Sequence, residues 1–268
     1  MHSSTAPESA QIDGPLKATP FEEVDLRSRT PACSDCPNRN YCLPGELTPA
    51  AVRLLDDQMF SRLRVREGVA LYHEGDAFKF FYAVRSGSFK SILTLRDGRD
   101  QVTDFHVLGE LMGLDGVARG VYASTAVALE AAEVCIVPYA RIEEVSKNSA
   151  ELQQMVSRTM SMQIVRERSL VLLLGSMNSE ERLASFLLSL SRRMKRRGYS
   201  PDEFHLRMSR VDLASYLALS VETVSRTFSA FQQQGFLRVN KKHVRILNHA
   251  GLQRTLDMRG VGSRDPGR

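Results

Sequence analysis

The residues best equipped for chemistry are the four cysteines. Three stand close together as Cys33-x₂-Cys36-x₅-Cys42, and Cys135 follows 93 residues later. Thiolates are soft ligands, and four of them suit a tetrahedral zinc ion or an iron–sulfur cluster. A ligand set drawn from two distant segments would tie an N-terminal arm to the domain that carries Cys135. Zinc sites usually pair two Cys-x₂-Cys knuckles, and a trio with one remote partner departs from that pattern. A thiol switch without metal is the third use open to these residues.

A second set lies near the C-terminus. Glu222, Ser225 and Arg226 share one face of a short helical stretch. Arg can pair in bidentate fashion with guanine, Glu can accept from the cytosine amino group, and Ser can touch either base type. Ser220 and Thr223 at the helix start, and Lys241 and Lys242 at a nearby basic turn, are further candidate DNA contacts. Motifs of catalysis are missing. There is no Gly-rich phosphate loop, no Gly-x-Ser-x-Gly elbow and no His/carboxylate metal motif, and the six histidines are scattered. The expectation is a binding protein, not an enzyme.

The chain has 268 residues, 43% of them hydrophobic, enough for two ordinary domains without disulfides. A run of about 18 apolar residues, the mark of a membrane helix, is lacking. So is a basic segment followed by an apolar one at the N-terminus. These features predict a cytoplasmic protein with no membrane partner, in a compartment that keeps thiols reduced. The net charge is +5, but Leu190–Asn248 holds twelve Lys and Arg against four acids. A basic C-terminal module on a mildly acidic body points to a polyanion.

Elements must position both sets. Residues 1–30 read as a flexible arm, and 31–47, with Pro31, Pro37, Pro44 and Gly45, as a cysteine loop. Thr48-Pro49 opens a short helix to about Gln58. Short alternating runs separated by Gly turns follow from 60 to 138, the texture of a sandwich or barrel, with Cys135 in the last strand. The sensor domain is therefore placed at 48–147. A long helix spans 148–176, its apolar stripe including Leu152, Met155, Met160, Ile164 and Leu170. That stripe is longer than one small domain covers, which predicts a homodimer seam. Residues 177–250 hold a helix ending at Gly198, then two short helices opened by Ser209 and Ser220, then a hairpin with Asn240-Lys241-Lys242 at its tip. That is a winged helix-turn-helix. Residues 251–268 are left as a tail.

In this order, β-roll, long helix and winged helix-turn-helix resemble the CRP/FNR family of bacterial transcription regulators, from about Pro31 to Leu247. The cysteine spacing resembles the oxygen-responsive FNR branch. So do Glu180-Glu181-Arg182-Leu183-Ala184-Ser185-Phe186, Leu190-Ser191-Arg192-Arg193 and Val221-Glu222-Thr223-Val224-Ser225-Arg226. The resemblance implies an α+β chain with a cyclic-nucleotide-binding-like β-roll (jelly roll). It implies a [4Fe–4S] cluster on Cys33, Cys36, Cys42 and Cys135, formed without oxygen and supporting a homodimer that binds double-stranded DNA. It also implies a repelling carboxylate at the dimer seam, here Glu167, TTGAT half-sites read by Glu222, Ser225 and Arg226, and RNA polymerase as partner.

Three features bear on this expectation. Rolls of the family that take cyclic nucleotide follow Gly-Glu-Leu with an Arg-Ser pair. Here Gly109-Glu110-Leu111 leads to Gly120-Val121-Tyr122-Ala123-Ser124-Thr125, so no cyclic nucleotide is expected. Ala218 stands in the helix-turn-helix turn where glycine is usual, and a left-handed backbone there would cost about 1–2 kcal/mol. Pro37 removes a backbone N–H beside Cys36 that would otherwise be free to bond a cluster sulfur.

Overall fold

The computed structural model describes residues 32–56 and 61–257. The expected arm at 1–30 and the tail beyond residue 257 lie outside them.

The first domain is a roll of two four-stranded antiparallel sheets. One has the order β1 (Arg62–Val65), β8 (Ala132–Pro138), β3 (Phe80–Ser86), β6 (Leu111–Met112). The other has β2 (Ala70–Tyr72), β7 (Thr125–Ala128), β4 (Phe89–Thr94), β5 (Asp100–His106). Strands β3 and β8 are apolar at nearly every position because both their faces are covered. Tyr82, Val84, Val134 and Ile136 point between the sheets. Phe81, Ala83, Cys135 and Val137 point outward, beneath α1 (Pro49–Asp56) and α2 (Tyr139–Lys147). The period-2 alternation of a strand thus puts Cys135 on the outer face.

Helix α3 (Ala150–Ser176) is the long helix, capped by Ser149, whose side chain accepts from the Leu152 N–H. Here the expected seam needs correction. Leu152 is 1% exposed and packs into the chain's own roll, and Met155 is half-buried against the same cluster. Leu170 packs on the C-terminal core. The first turns of α3 serve as a lid on the roll, so their apolar residues are already used. The stripe left open is Met162, Ile164, Val165, Val171 and Leu172, with Val171 71% exposed.

The second domain contains α4 (Ser179–Arg196), β9 (Glu203–His205), α5 (Arg210–Leu217), α6 (Val221–Gln233), β10 (Leu237–Asn240), β11 (His243–Ile246) and α7 (His249–Asp257). Capping boxes start α4 (Asn178 with Glu181) and α5 (Ser209 with Asp212). The stretch expected to begin a tail at 251 instead folds as α7. Its Leu252 is fully buried in the domain core, and Gly251 lets Phe236 approach closely.

The two domains meet along β5. Phe105, Phe186 and Tyr216 pack edge-to-face or tilted, with centroids 5.1–6.0 Å apart. Lys90 pairs with Asp212 at 2.5 Å, and the Ser215 hydroxyl accepts from the Val102 N–H at 2.8 Å. The strongest tie is Glu110, whose side chain is 3% exposed. Arg193 donates to it at 2.5 and 3.0 Å and Arg197 at 2.7 Å, with Arg166 at 3.6 Å. Burial alone would raise the Glu110 pKa, but Arg193, Arg166 and Arg197 outweigh it and hold it at about 2.

Candidate metal centre and nucleic-acid interface

The cysteine segment is a succession of 3₁₀ turns, Cys33–Asp35, Arg39–Tyr41 and Leu43–Glu46. The N–H groups of Cys36, Arg39 and Cys42 bond the carbonyls of Cys33, Cys36 and Arg39 at 3.0–3.2 Å. Cys36 and Cys42 follow the first two turns in extended backbone, and the chain reversals between them bring Cys33, Cys36 and Cys42 to one side.

That side faces Cys135. All four cysteines line one small cavity with Asn38, Arg39, Leu55, Ala83 and Arg85. Across the sheet Cys135 stands between Arg62 of β1 and Ala83 of β3, and directly opposed residues share a face. Ala83 is small, which leaves room over the strand. All four thiols are half-buried and none is in a disulfide. Burial, then the neighbouring Cys42 and Cys135 sulfurs, push Cys33 up to about 12. Burial, then Cys135, push Cys42 to about 12. Burial raises Cys135 as well, against the opposing pull of Arg62 and Arg85. Among the described residues no three His, Cys, Asp or Glu side chains already stand arranged about a single ion.

The donor set nevertheless fits an anionic group. The Nε atoms of Arg39, Arg62 and Arg85 are buried without a hydrogen-bond partner among the described residues. A buried guanidinium N–H left unmet costs about 1–3 kcal/mol or more. Four thiolates around a cluster would give these groups a counter-charge.

Residues that the sequence did not single out hold the loop. The Asp56 carboxylate, at the end of α1, accepts from the Cys33 and Ser34 N–H groups at 2.5 and 3.3 Å. Asn38 donates to the Arg85 carbonyl at 2.9 Å. Glu46 pairs with Arg158 of α3, and Glu151 accepts from the Thr48 N–H and hydroxyl at 2.5 and 2.8 Å. A Cβ on Gly109 would lie 1.6 Å from the Tyr41 carbonyl oxygen, so the loop sits directly on the turn that carries Glu110. The Tyr41 hydroxyl reaches Gly198 past the end of α4, where a Cβ would come within 2.8 Å. None of these long-range contacts has a local sequence signal.

Inside the roll, beneath α3, lies a second cavity of about 370 Å³. Asp104, Asp115, Glu167, His106, Ser91 and Ser124 are among its walls, which include no Lys or Arg. Glu167 is exposed at its edge and accepts from Gln163 at 3.3 Å.

At the other end, α5 and α6 form the helix-turn-helix. Ala218 takes the left-handed conformation the turn demands, φ 49°, ψ 51°. Arg182 steadies the turn by donating to the Leu217 and Ala218 carbonyls at 2.9 and 3.2 Å. Ser220 caps α6, its hydroxyl accepting from the Thr223 N–H at 3.0 Å. Glu222, Ser225 and Arg226 are exposed together, and Arg226 pairs with Glu222 at 2.5 Å. Val224, Phe228 and Phe231 bury the opposite side. The wing hairpin pairs Asn240 with His243, leaving Lys241, at φ 53°, and Lys242 exposed at its tip. The basic surplus is smaller than a count of side chains implies. Arg193 and Arg197 are spent on Glu110, and Arg210 lies over the Phe228 ring at 3.5 Å.

A β-roll joined by a long helix to an exposed, capped recognition helix and a basic wing defines a DNA-binding transcription regulator. Residues 62–149 match the cyclic nucleotide-binding domain model, and 181–255 match the Crp-like helix-turn-helix domain model. The chain belongs to the CRP/FNR family of transcription regulators, which bind DNA and act as dimers. It is 42% identical over 233 residues to the transcriptional regulatory protein btr of Bordetella pertussis, covering 87% of this chain and 96% of that one. It is 39% identical over 220 residues to the fumarate and nitrate reduction regulatory protein of Escherichia coli, covering 82% and 88%. Among solved structures, FixK2 from Bradyrhizobium japonicum superimposes with a TM-score of 0.68 at 27% identity, over 74% of this chain and 97% of that one. The family is one of regulators, not enzymes. No helix among the described residues is long and apolar enough to cross a membrane.

Proposed function

We propose that this regulator responds to oxygen through a [4Fe–4S] cluster held by Cys33, Cys36, Cys42 and Cys135. One observation carries the reading: four cysteines from two remote segments line a single cavity bordered by unmet guanidinium groups. Its 39% identity to proteins named for fumarate and nitrate reduction supports it. A bound cluster would supply the oxygen-labile chemistry.

The chain's own residues would carry the consequence. Three of the thiols sit on a loop that is fastened to α3 by Glu46–Arg158 and Thr48–Glu151. Through Tyr41 the same loop rests on Gly109 and Gly198, beside the Glu110 clamp between the domains. Seating the loop would therefore fix α3 and α4 together. The exposed Ile164, Val165, Val171 and Leu172 would form the dimer seam, with Met160 at its edge. Glu167 would face its counterpart across the two-fold axis, and the repulsion would keep pairing weak when the loop is unseated. A small gain from seating then tips the monomer–dimer balance.

In the dimer, two α6 helices would read TTGAT half-sites with Glu222, Ser225 and Arg226. Ser220, Thr223, Lys241 and Lys242 would contact the backbone. The protein would work in the cytoplasm and recruit RNA polymerase. Carboxylates in the roll cavity would repel a phosphate, which argues against a cyclic nucleotide effector. The test is binding to a TTGAT palindrome by oxygen-free and air-exposed protein. Tight binding is expected only without oxygen. Equal affinity in both states would remove the sensing role and leave DNA binding standing.

A further inference from the structure

The sulfur cavity has an outer ring that no ligand assignment includes. Among the described residues eight buried polar side-chain atoms lack a partner, and three of them are the Nε atoms of Arg39, Arg62 and Arg85. Each of these arginines stands beside a thiol for its own structural reason. Arg39 opens the 3₁₀ turn between Cys36 and Cys42 and lines the cavity with all four cysteines. Arg62 is directly opposed to Cys135 across β1 and β8. Arg85 stands at an irregularity in the β3–β8 register, two residues after Ala83, and lines the same cavity as Ala83. Glu133 grips its terminal nitrogen and leaves Nε free. Arg39 and Arg85 both line the cavity.

Resting on the cluster reading above, we propose that Arg39, Arg62 and Arg85 form a cationic outer ring that donates Nε–H bonds toward the cluster sulfurs and slows loss of the cluster in air. They are positioning and tuning residues, not ligands. Hydrogen bonds to the sulfurs and nearby positive charge set the reduction potential of such clusters. Positive charge favours the more negative, reduced form. Removing it therefore makes the cluster easier to oxidise. Two of the three cations come from the rigid sheet and one from the loop, so the ring also closes only when the loop is seated.

The test compares full-length wild-type, Arg62→Gln, Arg39→Gln and Arg62→Lys proteins, each loaded with iron and sulfide without oxygen. Both glutamine variants should take up the cluster, show a more negative midpoint potential and bleach in air about tenfold faster. Arg62→Lys, which keeps the charge, should recover most of the potential shift. An unchanged potential and bleaching rate in both glutamine variants would overturn the ring while leaving the cluster assignment intact. A wild-type protein that takes up no cluster would instead remove the reading beneath it, and the ring with it. The two glutamine variants lie on different elements, so misfolding of one leaves the other to decide.

Discussion

The recognition helix and the sulfur cavity are finished to different degrees. Around α6 every local requirement is met by the chain itself: Ser220 caps the helix, Val224 and Phe228 fill the core, and Arg226 already pairs with Glu222. Around the cysteines the chain leaves protonated thiols beside guanidinium N–H groups that have no acceptor among the described residues. One region is complete as protein. On the cluster reading, the other is a shell around something that is not protein. Between them lies a clamp, Glu110 with Arg193 and Arg197, through which the second can act on the first.

The largest contrast should come from Cys135→Ser. On the cluster reading it should remove essentially all bound iron from oxygen-free protein, while the helix-turn-helix stays folded by circular dichroism. Normal iron content would break the assigned ligand set.

Glu110→Ala should come next. It strands two buried guanidinium groups and should cost about 3–5 kcal/mol in denaturant unfolding. The same residue gives the clamp a pH dependence. Its folded pKa, about 2, lies below the ordinary 4.5. Its contribution is therefore full above about pH 4.5 and is lost as pH falls from there toward 2. Acid unfolding that follows the same course in Glu110→Gln would show that the clamp is not the cause.

Arg226→Ala should weaken specific DNA binding by about 1–3 kcal/mol and relax preference at one base pair. A uniform loss across sequences would make it a phosphate contact instead. The smallest effect belongs to Ala218→Gly, which relieves the left-handed alanine and should stabilise the domain by about 1 kcal/mol in thermal or chemical unfolding.

How much was legible in the sequence follows the same division. The helix-turn-helix could be read because its signals are local: Ser caps three residues ahead of an acid or Thr, a two-residue wing tip, an alanine forced left-handed. The cysteine trio was legible because its ligand types and spacing are local, although the segment read only as a loop and its 3₁₀ turns did not show. Leu152 was misassigned to the dimer seam because periodicity tells that a face is apolar, not what covers it. Arg193 and Arg197 looked like free positive charge until Glu110, more than 80 residues away, took them up. Helices α2 and α7 went unread, as did the anchoring role of Asp56, because each depends on surfaces assembled only in the fold.

The central claim is that the cysteines enclose an iron–sulfur cluster, and the direct measurement is iron and acid-labile sulfide in protein purified without oxygen. The expected result is about four of each per chain in a brown protein that bleaches in air. A colourless protein with neither, or with one zinc ion per chain, would contradict it.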